Sequence, residues 1–138
     1  MRTRWRASTA GLILSVVACA GKSAAERIAE HDRVRVAWEE TARFVGAEWI
    51  GGAIPDAYAT RTLDRANEEL RADSEKLQKD DMPDEARARL GEALEATRAR
   101  VDTLRLAVGA SDRASVARLV RDSPRANADS LLRQVALR

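Results

Sequence analysis

From residue 23 onward the apolar positions recur three or four apart, the spacing of helices that bury one face. The first such stretch is predicted from about residue 23 to about residue 50. Ser23-Ala24-Ala25-Glu26 reads as a capping box at its start, and Gly51-Gly52 as its stop. Its stripe is Val34, Trp38, Thr41, Val45 and Trp49, widened by Ala37 and Phe44. The first two turns are mostly polar and are expected to rise free of the core.

Pro55 suits the first turn of a second helix, with Asp56 at its positive end. Its stripe is Ala59, Leu63, Ala66, Leu70 and Leu77, interrupted by Asp73 and Ser74 and fading near Lys79. Asp81 is the expected cap of a third helix, with Pro83, Asp84 and Glu85 in its first turn. That helix has the most regular pattern in the chain: Ala86, Leu90, Ala93/Leu94, Thr97, Val101, Leu104 and Val108, with Gly109 as the stop. A short helix capped by Ser111 carries Val116, Leu119 and Val120. Another, opened by Ser123-Pro124, carries Ala128, Leu131, Leu132 and Val135. This terminal pair is predicted to cover Leu106, which lies off the main stripe. Short connections make neighbours antiparallel. The expected fold is therefore all-α: an antiparallel three-helix bundle with a short C-terminal helical hairpin, residues 23–138.

The start of the chain has a different pattern. Arg2, Arg4 and Arg6 precede an uncharged stretch from Ala7 to Gly21, with an apolar centre at residues 11–18 and small residues after it. This is the order of a secretory signal, cleaved from the mature protein. The stretch is shorter than the roughly 20 apolar residues of a spanning helix. It ends at Val16-Val17-Ala18-Cys19, and Cys19 is the only cysteine. That segment resembles the lipobox of bacterial lipoproteins, with Val16 where leucine is commoner. The resemblance covers only about the first 19 residues. It implies cleavage after Ala18, a diacylglycerol thioether on Cys19, and a membrane anchor made of lipid. Residues 1–18 would then be the signal, and 19–22 the lipidated cysteine with a short tether. Ala20 stands where an aspartate retains such proteins at the inner membrane, so the resemblance leans towards the outer membrane, facing the periplasm. The bland alternative is an ordinary signal that happens to contain a cysteine.

Charge then looks different. The whole chain is +2, but removing Arg2, Arg4 and Arg6 leaves 21 basic against 22 acidic residues, about −1. The total gives no electrostatic support to a nucleic-acid role. Residues 20–104 are net −5 and residues 105–138 net +4. An arginine-rich face docking on its own acidic bundle is the plain reading of that asymmetry, and contact with an acidic partner or anionic head groups the other.

Little in the remainder suggests chemistry. His31 is the only histidine, and too few Cys and His are present for a zinc site. His31 reads as a polar residue at the edge of the core. No phosphate loop or nucleophile elbow occurs, and no catalytic residue, cofactor or metal is expected apart from the covalent lipid. Trp38 and Trp49 fall about 20° apart on a helical wheel. With Tyr58 they read as core, or as an aromatic pocket for a small apolar or amphipathic ligand. Glu48 falls inside the predicted face, as an ion-pair partner of Arg61 or as a ligand-binding carboxylate. The function expected is a structural or accessory role on the envelope membrane, with an envelope protein as partner and no enzymatic activity. The alternative is ligand binding near Trp38, Trp49 and Tyr58.

Overall fold

The computed structural model describes residues 21–123, which form α1 (Ala24–Ile50), α2 (Asp56–Leu77), α3 (Asp84–Gly109) and α4 (Arg113–Asp122). The described residues are all-α. The signal segment, Val16, Val17, Ala18 and Cys19, and the final helix expected after Ser123, lie outside them. No helix among the described residues is long and apolar enough to cross a membrane.

α1 begins as its capping box requires. Ser23 Oγ accepts from the Glu26 amide at 3.2 Å, and Glu26 accepts from the Ser23 amide at 2.6 Å. It ends in a Schellman turn: the Gly52 amide donates to Trp49 O and the Ala53 amide to Glu48 O. Gly52 takes the left-handed conformation, φ 73°, that this turn demands. α3 ends in the same turn, with Ser111 at φ 56° in the left-handed place and the Asp112 amide on Ala107 O. Gly109 is therefore still helical, and the stop falls at Ala110 and Ser111. Two expected caps also move. Ser111 is occupied by the turn, so Asp112 caps α4 by accepting from the Ser115 amide at 3.0 Å. Pro83, rather than Asp81, precedes α3, which opens at Asp84, beyond Asp81's reach.

The stripes of α2 and α3 are buried as their spacing dictates. Ala59, Leu63, Ala66, Leu70 and Leu77 meet Leu90, Leu94, Thr97, Val101, Leu104 and Val108. Small residues between leucines let the two helices approach closely. Asp64 on α2 lies 3.5 Å from Arg105 on α3, and a Cβ built on Gly91 would lie 4.0 Å from Leu77 Cδ2. Near the end of α2, Asp73 meets His31 from the early part of α1.

The buried face of α1 is not the one its apolar residues outline. It consists of Ile28, His31, Asp32, Arg35, Glu39, Ala42, Val45, Gly46 and Trp49. At 100° per residue its centre is rotated by roughly 75° from the expected stripe. Val34 and Thr41 are only half-buried, Ala37 is exposed, and Phe44 points outward at 61% exposure. The first two turns are not free of the core, because Ile28, His31 and Asp32 are all buried. Charged residues hold the face that an apolar-only reading assigns elsewhere.

α4 packs against α1 and α3 through Val116, with Leu119 and Val120 half-buried. It comes so close to α1 that a Cβ built on Gly46 would lie 2.7 Å from Val120 Cγ2. α4 leaves Leu106 57% exposed. The rest of the pair expected to cover it lies outside the described residues.

Candidate functional site: a buried polar seam

A line of charged side chains runs along the inner face of α1. At one end His31 is 1% exposed and lies between two carboxylates. Its Nδ1 is 2.9 Å from Asp73 Oδ2 on α2, and its Nε2 is 2.8 Å from Asp80 Oδ2 in the connection to α3. Ionised carboxylates offer only lone pairs, so both bonds form together only when the ring carries both protons. The bond from His31, reinforced by the charges of His31, Arg27 and Lys76, holds the Asp80 carboxyl below its ordinary range against the opposing effect of burial.

The connection that carries Asp80 is held from two further sides. Arg27 Nη1 donates to Asp81 O at 3.0 Å, and Arg87 Nη2 donates to Asp80 O and Met82 O at 3.0 and 3.1 Å. Met82 is buried beneath it. One short loop is thus joined to α1 and α3 through its side chains and its carbonyls.

The seam continues down the bundle. Arg35 donates to Asp32 Oδ1 through Nε and Nη2 at 2.9 and 2.7 Å, and to Glu39 Oε2 through Nη1 at 2.9 Å. Glu39 Oε1 accepts from Arg100 Nη2 on α3 at 2.7 Å, and the same nitrogen lies 3.2 Å from Thr97 Oγ1. Signs alternate along Asp32, Arg35, Glu39 and Arg100, so each buried charge has an opposite neighbour. Pairing of this kind largely offsets the cost of desolvation. It adds little net stability and penalises any register that separates the partners.

The sequence-predicted aromatic residues sit in different surroundings. Trp49 is 2% exposed; its Nε1 donates to Asp56 Oδ1 at 2.7 Å, at the start of α2. The Arg113 guanidinium stacks 5.1 Å from the Trp49 ring centre while its Nη1 donates to Ile50 O at 2.7 Å. Trp49 therefore clasps the end of α1 to the starts of α2 and α4. Trp38 is half-buried against the core, Glu48 is half-buried, and Tyr58 is 57% exposed in the first turn of α2. No ion pair joins Glu48 to Arg61 among the described residues.

Neither tryptophan lines any of three cavities. Two are troughs of about 400 and 350 Å³ walled largely by exposed charged side chains. One lies between α2 and α3 beside Asn67 and Arg98, the other beside Lys22, Lys76 and Lys79. The third, about 100 Å³, is apolar. It opens between α1, α3 and the end of α4, where Ala42, Val101, Leu104 and Leu119 face one another.

His31 has both nitrogens against carboxylates and almost no exposed surface. No group of three His, Cys, Asp or Glu side chains among the described residues is placed to hold a metal ion. Reasoning from apolar periodicity missed the seam, yet a signal was present. Asp73 breaks an otherwise apolar stripe 17 positions after the start of α2, and His31 stands 19 positions before the end of α1. In an antiparallel pair joined by a short turn, those two heights coincide.

Compared with family models, with curated proteins and with solved structures, the chain finds no match.

Proposed function

We propose that this is a lipid-anchored protein of the bacterial envelope with a structural or accessory role, working through protein contacts and not through catalysis. In this reading residues 1–18 are a cleaved signal, Cys19 carries the lipid, residues 19–22 are the tether, and 23–138 form an up-down-up bundle finished by a helical hairpin. The observation that carries the reading is the lipobox-like Val16-Val17-Ala18-Cys19, closing an apolar run behind three arginines. The capped start of α1 at Ser23 supports it, because the body then begins at once after the tether. Ala20, Gly21 and Lys22 span about 10 Å when extended. The bundle would sit close against the bilayer, and Ala20 favours the outer membrane over the inner. A diacylated cysteine holds far more firmly than one chain, since each buried methylene contributes about 0.8 kcal/mol.

A partner protein follows from the same picture. A rigid body held at a membrane, with its internal charges paired among themselves, has its outer helix faces left for contact. The ligand-binding alternative draws no support from the three cavities described, none of which is lined by Trp38, Trp49 or Tyr58.

Intact-mass analysis of the native product tests the anchor. A chain beginning at Cys19 with added fatty mass is expected. A free thiol, or a different amino terminus, would overturn the reading. Cys19→Ala should move the protein from the membrane fraction to the soluble one, and sedimentation with membranes in high salt would argue against a lipid anchor. Crosslinking in the native cell, read by mass spectrometry, then identifies the partner.

A further inference from the structure

We infer that the apolar cavity at the end of α4 is the seat of the chain's own C-terminal segment, residues 124–138, which closes the groove between α1 and α3. The inference does not depend on the lipid anchor.

Size narrows the choice of occupant first. The cavity is about 100 Å³, well under the roughly 300 Å³ at which small-molecule sites begin. That space suits one or two aliphatic side chains. Its walls are Ala42 from α1, Val101 and Leu104 from α3, and Leu119 from α4, with Glu39 and Arg100 already paired at one edge. An apolar knob presented by a helix is the matching shape.

Position then selects the source. Ser123 is itself on the lip of the cavity, and the next residue is Pro124. Ser123 is extended, φ −60° and ψ 124°, as a residue before proline should be. The chain therefore leaves α4 at the cavity mouth. Fifteen residues follow, with Leu131, Leu132 and Val135 at helical spacing. Ser123-Pro124 is a favourable helix opening, and if helical, eight residues from Ser123 to Leu131 cover about 12 Å.

Charge and concentration favour the same occupant. Residues 124–138 carry Arg125, Arg133 and Arg138 against Asp129, while residues 20–104 are net −5. A segment tethered directly at the mouth is present at millimolar effective concentration. A second copy or a foreign helix would have to outcompete it. α4 also needs such a cover: Leu119 and Val120 are only half-buried by the described residues, and Val116 alone is fully enclosed.

A photocrosslinker on the rim tests this in the full-length protein, in cells. Arg43 lines the cavity with its side chain 38% exposed, and it pairs with Glu40 on its own helix. Arg43→p-benzoylphenylalanine should crosslink within the chain to the peptide containing Leu131 and Leu132. Adding L131D and L132D should reduce that product at least tenfold while helix content is retained. Capture of a second copy, capture of another protein, or an intramolecular product that survives the two aspartates would each overturn the proposal. The parent chain with and without L131D/L132D also gives a readout free of the probe: the double variant should bind a hydrophobic dye several-fold more strongly, and unchanged dye binding would argue that the groove was never covered.

Discussion

His31 and Asp73 stand 42 residues apart in sequence and 2.9 Å apart in space, both almost wholly buried. This pair fixes the height at which α1 lies on α2. Removing one member leaves the other charge enclosed without its partner, a loss of about 3 kcal/mol or more. His31→Ala should lower the urea midpoint accordingly. Asp73→Asn, which keeps an acceptor beside the ring, should cost clearly less. Equal losses for the two would show that charge pairing is not what matters there.

Gly46 gives a prediction whose sign depends on a second residue. Alanine at a helix position is worth about 1 kcal/mol over glycine, yet its Cβ would stand 2.7 Å from Val120 Cγ2. Gly46→Ala alone should destabilise. In a Val120→Ala background the same change should stabilise, since the obstructing methyl is gone. Additive effects in a double-mutant cycle would contradict the close approach of α4 to α1.

Ser111 holds a left-handed conformation at φ 56°, which suits glycine and costs other residues roughly 1 kcal/mol. Ser111→Gly should therefore raise the melting temperature, whereas Ser111→Val should lower it. These opposite shifts, measured by circular dichroism, test the turn between α3 and α4.

Acid should weaken the fold in a defined direction. Glu26 is held below its ordinary range by the Ser23 amide and hydroxyl, and Glu30 by Lys22. Asp80 is held down by His31, and Asp112 by Ser115. A carboxyl whose folded value is depressed contributes stability that is complete above its unfolded value, 3.8 for Asp and 4.5 for Glu. It is lost as pH falls through the folded value. Urea unfolding should change little with these groups near neutrality and decline below about pH 4.5. Asp80→Asn should flatten that decline, and an unchanged slope would remove Asp80 from the account.

Aromatic truncations should separate clasp from surface. Trp49→Ala should cost about 3–5 kcal/mol, the usual range for a fully packed large side chain. Phe44→Ala and Tyr58→Ala, at exposed positions, should stay within about 0.5 kcal/mol. Denaturant midpoints for the three variants test the ordering, and a large loss at Tyr58 would show that it is engaged by something beyond the described residues.

The contrast among the helices explains what was legible in the sequence. α2 and α3 bury Leu and Ala at three- and four-residue spacing, and periodicity located their faces directly. The capping box at Ser23 and the double glycine at 51 and 52 marked the ends of α1 for the same local reason. The inner face of α1 escaped because His31, Asp32, Arg35 and Glu39 are inside it, and a rule that sends charge outward turns the helix away from its true contact. Asp73 was visible as a break in a stripe but not as a partner, since pairing is a long-range fact. The position of Trp49 was clear, and its bonds to Asp56 and Arg113 were not, because they depend on how three helix ends meet.

The loop from Gln78 to Pro83 has a mechanical consequence. Arg27 and His31, in the first two turns of α1, are tied through that loop to α2 and onward to Arg87 on α3. A pull on the amino end would not peel α1 away by itself. Tension applied at Ser23 would be shared among three helices within about 12 Å of that residue, so the body should resist as a unit and yield abruptly rather than unravel turn by turn.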